Sequence, residues 1–378
     1  MKTIGLKCMC VILVSYISVL TLSSCDKKDS ASQEITYIET SKLEYAVDEL
    51  QNTSKLDFSN AIIDVHNVDK VYSLNLTRPQ LNVETLTDEF VKNCEHFLNK
   101  NINKNDLKYR YTQQDSSESK TIKYNDSPKF NSYFTMLSYY DEETKNDVYF
   151  QPYSMYWVAT KSSIYEKDIP LGDFGKMTFA ENNTSETKND IEFLTEKMNE
   201  INSQYSYFLE SEQFSVKPYR YINSNETYYA LLRMYYENIP FNTDYFYSID
   251  NDGEVIWSLD TGTFGELVID KNDEVYRIVS MSNLNAEERE IYTEIISPET
   301  ACNLVNEIIS DDVSFEVTRF ELLYNFEQII SDKDETDFYY NSNPHWKITI
   351  EKTGIPAYPQ MAFMVDAITG NVKTYKIG

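Results

Sequence analysis

The sequence has few of the residues that most often carry chemistry or bind metals: three histidines and five cysteines among 378 residues. The histidines, His66, His96 and His345, stand in separate predicted elements, and none has a sequence partner that would complete a metal site. Cys94 and His96 are two positions apart on a predicted helix, so their side chains point away from each other and cannot act as a nucleophile pair. We read His96 as a surface or boundary residue.

The motifs of the common catalytic classes are also missing. There is no Gly-x-Ser-x-Gly, no Walker loop, no His-Glu-x-x-His and no Cys-x-x-Cys. The 61 acidic residues are too many for their spacing to select a catalytic pair. Residues 250–254 superficially resemble a calcium loop, but the later ligand positions are absent, which favours a hairpin turn. We therefore expect no enzyme, no catalytic residue, no cofactor and no bound metal.

Positive charge is scarce as well. The chain has 34 Lys and Arg against 61 Asp and Glu, which gives a formal net charge of -27. A chain this acidic repels the phosphates of nucleic acids, so nucleic-acid binding is excluded.

Tyrosine is abundant, at 31 residues, and a tyrosine-rich surface that binds glycan or peptide stays open as an alternative.

The N-terminus carries the sharpest signal in the chain. Lys2 and Lys7 precede an apolar run over residues 8–22, which is the charged start and short apolar core of an export signal. This run is too short to span a bilayer comfortably. It ends in Leu22-Ser23-Ser24-Cys25, which resembles the lipobox of bacterial lipoproteins: an aliphatic residue, two small residues and a cysteine.

This resemblance implies that the Cys25 thiol receives a diacylglyceryl group and that a peptidase cleaves between Ser24 and Cys25. Cleavage removes 24 residues, leaves 354 and, because Lys2 and Lys7 are lost, takes the net charge from -27 to -29. Acyl chains on Cys25 would hold the protein stably on a bilayer. We expect the chain at the cell envelope, lipid-anchored on the outer face of the cytoplasmic membrane.

Two cysteines remain for the folded part. Cys8 and Cys10 leave with the signal and Cys25 carries the lipid, so only Cys94 and Cys302 are left. Both lie on the apolar stripes of predicted helices, which indicates small core residues. A disulfide between them stays open.

Three amphipathic helices are predicted from apolar residues that recur three or four positions apart. They cover about residues 84–99, 188–204 and 298–309, and the last has Ser297 as N-cap and Pro298 at its first position. Their starts lie roughly 105 residues apart, and a strand-like segment follows each helix. This spacing indicates an internal repeat.

Ile-Pro pairs and hairpins extend the pattern. The pairs are Ile169-Pro170, Ile239-Pro240 and Ile355-Pro356, one in each unit, and proline fits a strand end or turn because it cannot donate to a ladder. Short connectors at 250–254 and 270–273 predict β-hairpins. Together these features predict an α+β fold of two or three tandem units, each a helix plus an antiparallel sheet.

The predicted organisation follows from these positions. Residues 1–24 form the signal peptide, and residues 25–80 form a polar tether and lead-in strands. Three α+β units then occupy 81–185, 186–297 and 298–378.

The C-terminal segment carries a second resemblance. Its last hairpin reads Val-Asp-Ala-Ile-Thr-Gly-Asn-Val from residue 365 to residue 372, and it follows a strand that contains Trp346. The order of helix, tryptophan strand and final hairpin resembles a PepSY-type domain over residues 298–378 and, less closely, 186–297. Residues 232–241 are similar to the matching region of membrane-anchored regulators that restrain a cell-wall sensor kinase.

This second resemblance implies a non-enzymatic extracytoplasmic module that binds or inhibits a partner such as a peptidase or a sensor. In that module Trp346 is a core residue, Thr369 and Gly370 form a hairpin turn, and Asp366 is placed to cap it. We therefore predict a lipoprotein that binds or regulates an envelope protein. Two alternatives stay open: a glycan- or peptide-binding surface lipoprotein, and an envelope hydrolase with an unrecognised carboxylate site.

Overall fold

The computed structural model describes residues 35–77, 83–112, 119–123, 136–151, 156–167, 169, 177–180, 185–205, 213–243, 246–249, 255–258, 264–281, 284–330, 338–352 and 361–377. The residues expected to form the export signal, the lipobox with Cys25 and the tether lie outside the described residues. So do the 250–254 connector and the Ile355-Pro356 pair.

Four helices and 23 strands are described. The helices are α1 (Leu43–Asp48), α2 (Val83–Leu98), α3 (Ser185–Gln204) and α4 (Pro298–Ile308). The first strands are β1 (Tyr37–Glu39), β2 (Leu56–Asp57), β3 (Ile62–Asp64), β4 (Val71–Thr77), β5 (Lys108–Thr112), β6 (Ser119–Lys123), β7 (Met136–Tyr140), β8 (Asp147–Gln151), β9 (Tyr156–Thr160), β10 (Thr178–Phe179), β11 (Ser215–Ser224) and β12 (Thr227–Tyr236). The others are β13 (Ile239–Pro240), β14 (Phe246–Ile249), β15 (Val255–Ser258), β16 (Phe264–Asp270), β17 (Val275–Met281), β18 (Asn285–Tyr292), β19 (Glu294–Ile296), β20 (Phe315–Ile330), β21 (Phe338–Lys352), β22 (Met361–Asp366) and β23 (Val372–Ile377).

The three predicted helices are confirmed as α2, α3 and α4, with ends within a few residues of those expected. Helix α4 begins as its sequence indicates: Pro298 is its first residue, and the Ser297 hydroxyl accepts a hydrogen bond from the Thr300 N–H at 3.2 Å. This cap satisfies one of the N–H groups that a helix start leaves without an intrahelical acceptor.

The first sheet runs in the order β10-β11-β12-β16-β17-β9-β8-β7-β5-β6, and β13 pairs with β12. Helices α2 and α3 pack on one face of this sheet, where their apolar stripes meet inward-facing strand residues. The core on this face includes Phe90, Cys94, Phe97, Leu194, Met198, Ile201, Trp157, Leu232 and Ile278. A smaller apolar cluster on the other face includes Tyr229, Leu231, Val268 and Tyr276.

The second sheet runs in the order β15-β14-β23-β22-β21-β20-β2, with β3 on β20 and β4 between β21 and β18. Helix α4 packs on it and contributes Ala301, Cys302 and Val305 to the largest core cluster. That cluster also takes Met234 and Tyr236 from the end of β12, so one long strand of the first sheet contributes to both cores.

The same order follows each long helix: four strands that are antiparallel neighbours in a sheet. These are β5-β7-β8-β9 after α2, β11-β12-β16-β17 after α3, and β20-β21-β22-β23 after α4. The hairpin predicted across 270–273 is the β16–β17 pair, and the one across 250–254 is β14–β15. The fold class is thus α+β and mostly strand. Strands of the predicted units 81–185 and 186–297 share one sheet, because β9 pairs with β17.

Segments distant in sequence complete the second sheet. Strands β2 and β3, from the predicted lead-in region, pair in parallel with β20, and β4 pairs with both β18 and β21. Strands β14 and β15 lie between β12 and β16 in the sequence, but they form a hairpin that belongs to the second sheet. There β14 pairs with β23. In the described part of the chain, no helix is both long and apolar enough to cross a membrane.

Candidate functional site

The two sheets are joined at the Ile239-Pro240 pair that the sequence analysis singled out. Glu237 and Asn238 have φ values of 47° and 68°, which form a tight turn after β12 and return the chain along it as β13. The next residue, Phe241, bridges to Tyr324 of β20, and the Asn242 N–H donates to the Tyr324 carbonyl at 2.9 Å. The chain therefore passes directly from one sheet to the other.

A cluster of five charged side chains is buried beside this junction, and we call it the ionic cluster. Its members come from four strands of the two sheets, and each is less than a tenth exposed. They are Asp64 of β3, Arg233 of β12, Arg319 and Glu321 of β20, and Lys347 of β21.

Strand register explains how the cluster assembles. Glu321 lies opposite Lys347 on one neighbouring strand and opposite Asp64 on the other. Arg319 is two positions before Glu321, so it shares the same face of β20. Arg233 arrives from the first sheet, where its Nε donates to the Phe241 carbonyl at 2.8 Å.

The contacts within the ionic cluster are short and centred on Glu321. Its Oε1 lies 2.7 Å from Arg233 Nη1 and 2.8 Å from Arg319 Nε. Its Oε2 lies 3.4 Å from Lys347 Nζ. Arg319 Nη2 lies 2.6 Å from Asp64 Oδ2. The Tyr219 ring packs against both guanidinium groups, with its centroid 4.6 Å from the Cζ of Arg233 and 5.2 Å from that of Arg319.

These charges keep both carboxylates ionised. Burial alone raises the pKa of Glu321, but the positive charges of Arg319, Arg233 and Lys347 outweigh it, so this pKa lies well below its usual range. The pKa of Asp64 is also lowered, because the hydrogen bond to His66 and the charge of Arg319 outweigh its burial. Neither carboxylate is poised to exchange a proton near neutral pH.

His66 connects the ionic cluster to the protein surface. Its Nε2 lies 3.5 Å from Asp64 Oδ1 and its Nδ1 lies 3.5 Å from Glu44 Oε1. The hydrogen bond to Asp64 is the main cause that raises the pKa of His66 above its ordinary value. The other two histidines lie elsewhere: the His96 ring contacts Gln204 and Tyr205, and buried His345 bonds the Asn343 carbonyl.

Trp346, Asp366, Thr369 and Gly370 occupy structural positions in the C-terminal unit. The buried Trp346 indole donates to the Ile296 carbonyl at 2.7 Å and stacks on Phe320. Asp366 Oδ1 accepts from the N–H groups of Ile368 and Thr369 at 2.9 and 2.8 Å. Gly370 has a φ of 76° and donates its N–H to the Asp366 carbonyl four residues earlier, so an α-turn closes under the carboxylate.

Cys94 and Cys302 are free and buried in different cores. Burial raises the pKa of both thiols, that of Cys302 to about 12. Across the ranges that the structure describes, no three His, Cys, Asp or Glu side chains are grouped so as to hold a metal ion.

None of the ionic-cluster residues is recognisable from the sequence as a site residue. Their one signal is that Arg319, Glu321 and Lys347 interrupt otherwise apolar strands. A charged residue in such a strand is normally expected on the solvent-exposed face of a sheet whose other face covers the core. Only the tertiary structure shows that both faces of β20 are covered, because Arg319 and Glu321 on one face are buried as completely as Phe320 and Leu322 on the other.

The fold and the ionic cluster define an α+β protein in which two mainly antiparallel sheets are joined by buried ion pairs. No family model and no curated protein matches the chain. Among solved structures it is similar to the Bacillus megaterium YpeB C-terminal domain, with a TM-score of 0.30 and 12% sequence identity, over 79% of this chain and 100% of that chain.

Proposed function

We propose that this protein is a lipid-anchored extracytoplasmic protein that binds or regulates a protein partner of the cell envelope. The observation that carries the proposal is Leu22-Ser23-Ser24-Cys25 at the end of an export signal. A strongly acidic body supports it, since such a body stays soluble beside an anionic bilayer instead of adsorbing to it.

The ionic cluster supports a binding role over a chemical one. Among the described residues, three buried carboxylates have resolved pKa shifts, and all three shifts are downward: Asp64, Asp141 and Glu321. A general acid or base needs a pKa close to the working pH, which is the opposite direction. The cluster instead fixes the two sheets against each other, which gives a binding surface a defined shape.

We further propose that the three helix-plus-four-strand units are PepSY-like repeats, with the C-terminal one at 298–378. The support is their shared order of α2, α3 or α4 followed by four antiparallel neighbouring strands, with β6 as an additional strand in the first unit. The second unit differs by the β13–β15 insertion, and the third gains β2, β3 and β4 at its edges.

Lipidation can be tested with cysteine variants that differ only in position. The Cys25→Ser chain is compared with Cys10→Ser, which changes a cysteine inside the apolar run but leaves the lipobox intact. We expect the wild type and Cys10→Ser to fractionate with membranes and to yield an N-terminal peptide that starts at a diacylglyceryl-modified Cys25. Membrane retention of Cys25→Ser, or an unmodified Cys25, would contradict the proposal.

Partner binding can be tested by photo-crosslinking on intact cells. A crosslinking amino acid replaces Tyr45 or Tyr165, which are 65% and 78% exposed on separate elements, in wild-type and Cys25→Ser chains. We expect one envelope protein to be captured, and only by the lipidated chain. Capture of nothing but bulk cell-wall glycan would instead favour the glycan-binding alternative.

A further inference from the structure

Strand β18 ends the second sheet on the side of β4. Among the described strands it pairs only with β4, over the register from Asn285↔Thr77 to Tyr292↔Val71. Six of its eight residues are exposed, and only Ala286 and Tyr292 are half-buried. Its outer edge therefore faces solvent in the described part of the molecule.

The outer edge already accepts one strand-like contact. The Gln213 side-chain amide donates to the Ala286 carbonyl at 2.9 Å and accepts from the Ala286 N–H at 2.8 Å. These are the two hydrogen bonds that a paired residue of a neighbouring strand would make. Because alternate residues of a strand present their backbone to the same edge, the N–H and C=O of Glu288 also point outward.

Beyond Ala286 the outer edge continues unpaired within the described ranges. The bulge at Arg289 increases the local twist, and Arg289 itself is held by Asn341 at 3.2 Å. The edge ends at Ile291, which is 55% exposed although most large apolar side chains of this sheet are buried. A short segment with outward backbone groups and an apolar end is therefore accessible.

Charge restricts what can pair there. Strand β18 carries Glu287, Glu288 and Glu290 against a single arginine. A second copy of β18 would place glutamates opposite glutamates, which is unfavourable. Lysine or arginine side chains on an added strand would lie opposite these carboxylates instead.

We propose that β18 is a docking edge for an extended, Lys- or Arg-bearing segment of the partner protein, which adds as a strand beside Glu288 and Ile291. Backbone hydrogen bonds to Glu288 give the affinity, and the glutamates select a basic segment. This inference rests on the proposed partner-binding function.

Three ten-residue peptides test the docking edge against the full chain in detergent micelles. The first alternates lysine with valine, the second replaces lysine with glutamate, and the third is the lysine peptide with alternate amides N-methylated. We expect the lysine peptide to bind, the glutamate peptide not to bind, and N-methylation to weaken binding about tenfold or more, since it removes the donors of one peptide edge. Equal binding of the methylated peptide would overturn strand addition.

A matched pair of variants locates the site. Glu288→Ala and Glu288→Pro both lose the carboxylate and its contact with the Tyr236 hydroxyl, but only proline removes the outward N–H. We expect Glu288→Pro to bind the lysine peptide about tenfold more weakly than Glu288→Ala at equal thermal stability. Equal affinities would overturn the proposal, as would self-association that Glu288→Pro abolishes. Either result leaves the Cys25-dependent crosslinking test standing, so failure of the docking edge is distinguishable from failure of the proposed function.

Discussion

Arg233 and Glu321 form an ion pair between the two large sheets, with Nη1 of the arginine 2.7 Å from Oε1 of the glutamate and both side chains fully buried. The residues are 88 positions apart in the chain. Both charges are buried away from water, so the folded state is strongly destabilised if either charge is left without the other. The pair is therefore a sensitive point at which to test the structure.

Removal of one member should destabilise the protein strongly. We expect Glu321→Gln to lower the free energy of unfolding by about 3–5 kcal/mol, because Arg233, Arg319 and Lys347 keep their buried charges. The double variant Arg233→Met/Glu321→Leu should lose less than the sum of its single changes. Urea denaturation measures these values. Glu39→Gln, in the exposed pair with Lys42, is the matched control and should change little. Additive losses at positions 233 and 321 would argue against the pair.

The ionic cluster should also set the acid limit of stability. The folded-state pKa of Glu321 lies below its ordinary value of 4.5, so its stabilising effect is complete above that pH and is lost as the pH falls toward the folded-state pKa. Below about pH 4.5 we expect the free energy of unfolding to fall less steeply with decreasing pH in Glu321→Gln than in the wild type. The two slopes should differ by up to about 1.4 kcal/mol per pH unit. Urea titrations between about pH 3 and pH 7 measure this slope. Identical slopes in both proteins would contradict the lowered pKa.

The Asp366 turn offers a local test. Asp366→Ala removes the acceptor of two N–H groups, and we expect a loss of about 1 kcal/mol, comparable to that of a helix N-cap. Asp366→Asn keeps an acceptor oxygen and should recover much of the loss. Thermal unfolding compares the three proteins. A melting temperature of Asp366→Ala equal to that of the wild type would show that the cap is not stabilising.

The two core cysteines should be unreactive in the folded protein. Burial raises the pKa of the Cys94 and Cys302 thiols, which removes the reactive thiolate at neutral pH. In a chain with Cys8, Cys10 and Cys25 replaced by serine, we expect a thiol reagent at about pH 8 to modify neither cysteine until urea unfolds the protein. Two thiols should then react without a reductant. Fewer than two would indicate a disulfide between them.

Local features were predictable because their causes lie within a few residues. The apolar stripes of α2, α3 and α4 repeat at helical spacing, and Ser297 with Pro298 fixes the start of α4. The connector at 270–273 closes a hairpin because Asp270 Oδ1 accepts from the N–H groups of Asn272 and Glu274. Each of these signals acts on the chain before any distant contact forms.

Sequence pattern and turn chemistry predicted the three longer helices, the hairpins at 250–254 and 270–273, the turn under Asp366 and the acidic character of the body, but not helix α1. The pairing of β3 with β20, the pairing of β14 with β23 and the contact of Arg233 with Glu321 become visible only in the folded structure. The physical reason is that period and turn chemistry act over a few residues, whereas strand partners are selected by burial across the whole chain. From the sequence, charged residues such as Arg319 are expected to face solvent. They are buried in the core only because oppositely charged partners from other strands lie beside them.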